Sequence, residues 1–123
     1  MSKYRQQLGH WGEELAVEYL VNEGYSIVDR NIRTPYGEID IIASQSNLLI
    51  FVEVKTRSTA NFGMPEESVT LKKQKHIIDA IEFYFQEHPE SDYDWRIDVI
   101  AIRRQKKDVT PEIIHFQNAI MNR

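Results

Sequence analysis

The stretch Leu48-Leu49-Ile50-Phe51-Val52-Glu53-Val54-Lys55 ends an apolar run with an acid and a base two positions apart. Side chains of a strand alternate between its faces, so Leu49, Phe51, Glu53 and Lys55 share one face, apolar at one end and charged at the other. Val52 and Val54 keep the opposite face apolar. A strand that changes character in this way leaves a core and enters a cleft. Burying Glu53 there without a partner is costly or shifts its pKa, so something must compensate it. The preceding apolar run, Glu38 to Ala43, adds a second carboxylate, Asp40. If the two runs form an antiparallel hairpin, any even-length loop puts Asp40 and Glu53 on one face. A two-residue turn at Ser46-Asn47 sets Asp40 directly opposite Glu53, about 5 Å away, and Glu38 opposite Lys55. A four-residue loop makes the Asp40–Glu53 pair diagonal, at about 7 Å.

Like charges facing each other across a ladder destabilise it, and a divalent cation between them turns the liability into a site. Hard cations prefer carboxylate oxygen, and Mg²⁺ commonly takes only one or two protein carboxylates plus waters and a phosphate. Beside such an ion, Lys55 could orient an attacking water and stabilise the growing negative charge of a phosphodiester hydrolysis. The competing reading is a Glu38–Lys55 ion pair on a solvated sheet face, with no catalysis. The spacing weighs the two equally.

Glu13 lies at one edge of a helical apolar stripe and could lean over the sheet toward Asp40 and Glu53. Taken alone it reads as helix-surface charge. Glu14 and Glu18 fall on the more solvent-facing side. Lys73 opens a second helix and could face a phosphate, although a solvated lysine is the simpler reading. His10, His76, His88 and His115 show no metal-ligand spacing. Asp98, between Ile97 and Val99, could line the same cleft, with a salt bridge to Arg96 the safer expectation.

The elements that must position these residues follow from periodicity. Residues 4 to 23 carry Leu8, Trp11, Leu15, Tyr19 and Leu20 at helical spacing, and Gly24 is a natural stop. Tyr25 to Ile32, Glu38 to Ala43 and Leu48 to Thr56 read as strands, with Thr34-Pro35-Tyr36-Gly37 as a turn and Ser44 to Asn47 as a hairpin connection. Arg57 to Val69, containing Phe62-Gly63-Met64-Pro65, reads as a long polar loop, a class that is often functional. A second helix is predicted from about Thr70 to Glu87, a fourth strand over Arg96 to Ile102 and a short fifth over Glu112 to Phe116. The order α-β-β-β-α-β-β describes an α/β fold with a mixed sheet, because the helix between strands three and four permits a parallel crossover.

The 123 residues fit one domain with one core, at 41% hydrophobic and 28% charged residues. Without cysteine, disulfides and thiolate metal sites are excluded. No apolar segment at the N-terminus resembles a signal peptide, and no apolar run has membrane-spanning length, so a soluble cytoplasmic protein is expected. A net charge of −4 argues against non-specific coating of nucleic acid. However, residues 87–94 hold four of the 19 acids and no Lys or Arg, and the remainder balances at 15 acids against 15 bases. The bases cluster at Arg30 and Arg33, at Lys55 and Arg57, at Lys72, Lys73 and Lys75, and near Arg103. Composition therefore permits a nucleic-acid partner without requiring one.

Taken together, Gly9-His10-Trp11-Gly12-Glu13-Glu14-Leu15-Ala16, Asn31-Ile32-Arg33, Gly37-Glu38-Ile39-Asp40, Phe51-Val52-Glu53-Val54-Lys55-Thr56-Arg57, Val69 with Lys73-Gln74, and Arg96-Ile97-Asp98-Val99 resemble the YraN-like family of bacterial proteins. That family belongs to the PD-(D/E)xK nuclease superfamily, and the match spans roughly Gly9 to Phe116. The resemblance implies a restriction-endonuclease-like αβββαβ core over residues 1–123, with its site at one end of the central hairpin. It also implies that Asp40 and Glu53 ligate Mg²⁺ or Mn²⁺, that Lys55 positions and activates water, and that Glu13 helps to hold metal or water. Arg33, Arg57 and Lys73 would then hold flanking phosphates of DNA. The likeness to archaeal Holliday-junction resolvases implies branched DNA and a homodimer. Ile39 stands where that signature often carries proline, a position that shapes the turn and not the chemistry. A nuclease fold that binds nucleic acid without cutting it is the alternative.

Overall fold

A computed structural model describes residues 3–57, 69–104 and 110–120. Within these, the chain runs α1 (Lys3–Asn22), β1 (Ser26–Thr34), β2 (Gly37–Gln45), β3 (Leu48–Arg57), α2 (Leu71–Glu87), β4 (Asp94–Arg103) and β5 (Glu112–Ile120). The strands form one sheet in the order β1-β2-β3-β4-β5. Only β3 and β4 are parallel, the crossover passing through α2, and every other neighbouring pair is antiparallel. This is the mixed α/β architecture expected of an αβββαβ core, with a fifth strand added at the β4 edge. The segment 58–68, where a functional loop around Phe62-Gly63-Met64-Pro65 is expected, lies outside the described residues. Among the described residues no helix is long and apolar enough to cross a membrane.

Each helix covers one face. Ala16 and Leu20 of α1 pack with Ile41, Ala43, Ile50, Val52, Ile100 and Ile102. Ala80, Ile81 and Tyr84 of α2 pack with Ile42, Leu49, Phe51, Ile97 and Val99 on the other side. The alternation read for β3 holds: Leu49 and Phe51 face α2, while Ile50 and Val52 face α1. α1 ends as a Schellman motif, Gly24 (φ +94) donating its N–H to Val21 O and Tyr25 donating to Leu20 O. β5 runs to Ile120, four residues past the expected end at Phe116. The polar pair Gln117-Asn118 interrupts the apolar pattern, but Asn118 adopts φ 52 and its N–H is held by the buried Asp98 carboxylate at 2.8 Å, so the strand continues and buries Ile120. Asp98 also accepts from Arg96 Nε at 2.9 Å and lies 2.7 Å from His115 Nε2. It is a structural anchor on the α1 face and does not line the cleft.

The β2–β3 hairpin turns at Ser46-Asn47, with Ser46 at φ 55, in the register of the two-residue alternative. Pairing stops at Ile41–Val52, one pair short of Asp40–Glu53, whereas β3 and β4 stay paired as far as Arg57–Arg103. β2 therefore peels away from β3 at Asp40. Its alternation breaks at the same place: Ile41 lies in the α1-side core, yet Ile39 lies with Ile42 in the α2-side core. Opposite, in β1, Asn31 sits at φ 52. The paired irregularities rotate the tip of the β1–β2 hairpin by one face and open a gap beside β3.

α1 lies directly on β3 at this end. A Cβ on Gly12 would stand 2.0 Å from Thr56 Oγ1, so only glycine permits the approach. Gly12→Ala should cost about 2–3 kcal/mol by overpacking. The double variant Gly12→Ala/Thr56→Ala should recover most of that loss in chemical denaturation. Equal stability of Gly12→Ala and the parent chain would refute the close approach.

Candidate active site

The gap at the end of β2 collects the acidic residues. Asp40 turns its carboxylate into the space vacated by the ladder, where Oδ2 accepts the Val54 N–H at 2.8 Å. The side chain thus takes a backbone donor that a β2 carbonyl would otherwise take. Glu13, one residue beyond the Gly12 contact, reaches the same gap from α1. Glu38 reaches it from the strand end beside the β1–β2 turn. One carboxylate oxygen from each of Glu13, Glu38 and Asp40 lies within 4.8 Å of the others. Asn31, with its amide turned to donate, bridges Glu13 Oε1 at 2.8 Å and Glu38 Oε1 at 3.2 Å.

The basic half of the site lies on the α2 side. Lys55 is buried at 9% exposure, and its Nζ stands 3.3 Å from Glu53 Oε1. Lys73, in the first turn of α2, comes against Lys55 and Arg57. The helix start is fixed by Thr70, whose Oγ1 accepts the Lys73 N–H at 3.2 Å, and by Gln74 Nε2 donating to Val69 O at 2.9 Å. Val69 itself is fully buried. Arg57 is half-buried beside Thr56. Arg33 is 91% exposed, 3.9 Å from Glu38 Oε2, at the outer rim.

Electrostatics reflect this crowding. Loss of solvent, followed by the charge of Glu53, pushes the Asp40 carboxyl up to about 8, the Val54 N–H opposing the rise. Burial and the charge of Glu38 raise Glu13. A hydrogen bond from Lys55, together with its charge, holds Lys73 below the usual lysine range. Like charges thus crowd on both sides of the gap, the carboxylates around Asp40 and the lysine Lys73 beside Lys55. Three carboxylates offering hard oxygen within one ion's reach fit a Mg²⁺ or Mn²⁺ ion.

Of the expected residues, Glu13 and Asp40 meet in one cluster, and Glu53 reaches Asp40 through its field while pairing with Lys55. Lys73 and Arg57 stand on the Lys55 side. Glu38 was expected opposite Lys55 and instead joins Asp40 and Glu13. The acidic stretch at residues 87–94 lies at the far end, since β4 starts at Asp94 beside Leu48 and reaches Arg103 beside Arg57, about 30 Å of strand away. The acids of residues 87–94 therefore stand away from the site, where Glu13, Glu38, Asp40 and Glu53 meet Lys55, Arg57 and Lys73.

The chain is 45% identical over 119 residues to a UPF0102 protein of Syntrophotalea carbinolica, covering 97% of this chain and 95% of that one. It is 40% identical to a UPF0102 protein of Caldicellulosiruptor saccharolyticus, covering 94% and 98%. A relative from Thermodesulfovibrio yellowstonii is 43% identical, covering 94% and 96%. The model of the family described as "Uncharacterised protein family UPF0102" matches residues 12–102, a span that includes the acidic cluster, Lys55 and Lys73. The chain belongs to the UPF0102 family.

Proposed function

We propose that this protein is a metal-dependent endonuclease that hydrolyses phosphodiester bonds of DNA, with Asp40, Glu53, Glu13 and Lys55 as its active site. The observation that carries the reading is the desolvated Asp40 carboxylate, set among Glu13, Glu38 and Glu53 on one side of a Lys55–Lys73 pair. Asp40, Glu53 and Glu13, with Glu38, would hold Mg²⁺ or Mn²⁺. When bound, such an ion supplies Lewis acidity and neutralises phosphate charge. Glu53 holds Lys55 in place through its 3.3 Å contact. Lys55 Nζ would donate to the phosphoryl oxygen on which charge grows, while the attacking water beside it would give its proton to a carboxylate of the cluster and the leaving oxygen would take one from solvent. Lys73 and Arg57 bind the phosphates flanking the cut, and Arg33 binds one further out.

The resemblance to resolvases favours branched DNA and a homodimeric enzyme. A nucleic-acid-binding protein of the same fold without cleavage is the second reading. The cationic group of Lys55, Lys73 and Arg57 favours it, because that group would bind phosphates without any ion.

Incubation of the purified chain with four-way junction, flap, linear duplex and single-stranded DNA separates the two. Products that require Mg²⁺ or Mn²⁺ and vanish in Asp40→Ala and Glu53→Ala are expected. Cleavage surviving in both variants would refute this site. Salt-dependent binding with no product would support the second reading.

A further inference from the structure

Beside the acidic cluster, between the β1–β2 turn and the first turns of α2, lies a cleft of about 190 Å³, partly open to solvent. Glu53 and the exposed Glu38 line its acidic side, and Ile77 contributes an apolar wall. Its rim carries Tyr36 from the turn and Lys73 and His76 from α2, all exposed. The turn is pinned: Thr34 Oγ1 accepts the Tyr36 N–H at 3.1 Å and donates to Gly37 O at 2.6 Å. A large aromatic ring at 49% exposure is thereby held on a fixed backbone at the mouth of the cleft. A ring presented this way binds a flat partner at low conformational cost.

An aromatic ring, an imidazole, an ammonium and an apolar wall, ending at carboxylates that would hold a phosphate-bound ion, match the parts of one nucleotide. We propose that this cleft is a nucleotide subsite that receives one unstacked base of the substrate strand next to the cut phosphate. Tyr36 stacks on the base, and Lys73 holds its phosphate. The inference rests on the nuclease reading and narrows its substrate class. A base within intact duplex must leave its stack to enter the cleft, at a cost that is least where it is already unpaired. The favoured substrates are therefore strands with an unpaired nucleotide at the cut: bulges, flaps, junction arms and single strands.

The test uses the full chain and two labelled duplexes of one sequence, one carrying a single-nucleotide bulge and one fully paired. Affinity is read by fluorescence anisotropy in EDTA and in Ca²⁺. In parallel, 2-aminopurine at the bulge reports stacking of the base on the protein. The parent chain should bind the bulged duplex more tightly. Tyr36→Ala should weaken that binding by about 5- to 100-fold, and Tyr36→Phe should restore it together with the 2-aminopurine change. Thermal melts confirm that each variant is folded. Equal affinity for the two duplexes, or Tyr36→Ala binding the bulge as the parent does, would overturn the subsite. Cleavage of both duplexes at equal rates, indifferent to Tyr36, would overturn it while leaving the nuclease reading intact. A Tyr36-dependent bulge preference without metal-dependent cleavage would sustain the subsite while the nuclease reading fails.

Discussion

Asp40→Asn should make the metal-free protein more stable while removing its metal-dependent activity. The carboxyl sits at about 8 in the folded chain, against an ordinary value of 3.8. With the folded value raised, the native state holds more protons than the unfolded one between those limits, so stability falls as pH rises through that window. Asparagine removes the charge yet keeps an oxygen for the Val54 N–H. The gain should be on the order of 2 kcal/mol at pH 8, roughly 6–8 °C in Tm, and should shrink toward pH 5. Cleavage, in contrast, should fall by about a thousandfold, the scale of the several kcal/mol that a bound ion contributes to the transition state. Melting curves of parent and variant at pH 5 and pH 8 in EDTA check the first part, and single-turnover assays check the second. A variant less stable than the parent at pH 8 would contradict the electrostatic account of Asp40.

Glu53→Ala should act on stability with the opposite sign. Glu53 is the carboxylate paired with Lys55, at 3.3 Å, with side chains only 19% and 11% exposed. Removing it leaves an ammonium facing Lys73 in a desolvated place, and breaking such a pair costs more than the pair itself contributes. Relief of Asp40 offsets part of this. A net loss of about 2 kcal/mol is expected, with Glu53→Gln losing less because its amide oxygen still accepts from Nζ. The double variant Glu53→Ala/Lys55→Ala should be more stable than Glu53→Ala alone, since no charge is then stranded. Chemical denaturation of the three variants checks the ordering. In the proposed mechanism both carboxylates serve cleavage, whereas only Glu53 supports the fold.

Much of this arrangement was legible in the residues. The alternation of β3 and an even-length loop put Asp40 and Glu53 at one end of the sheet, and of the two registers left open the structure takes the two-residue turn at Ser46-Asn47, its ladder ending one pair short of Asp40–Glu53. The stripe on α1 put Glu13 at its edge, from where it could lean over the sheet, although taken alone it read as helix-surface charge. The departure of β2 at Asp40 was not legible, because it depends on a side-chain oxygen replacing a backbone acceptor for Val54 N–H. Strict alternation along Glu38, Ile39, Asp40 and Ile41 cannot show that Ile39 and Ile41 face opposite cores. For the same reason Glu38 was assigned to Lys55, when the rotated hairpin tip delivers it to Asp40 and Glu13. The length of β5 was hidden because Gln117-Asn118 looks like a strand end unless the buried Asp98 that holds Asn118 is known.

The central claim is that Asp40 and its neighbouring acids are tolerable together because they hold a divalent cation. Crystals of the parent chain and of Asp40→Asn soaked in Mn²⁺ test it most directly through anomalous scattering. The account predicts a peak within bonding distance of the Asp40 carboxylate, shared with Glu13, Glu38 or Glu53, in the parent and none there in the variant. A parent crystal with Mn²⁺ bound elsewhere and no density beside Asp40 would contradict it.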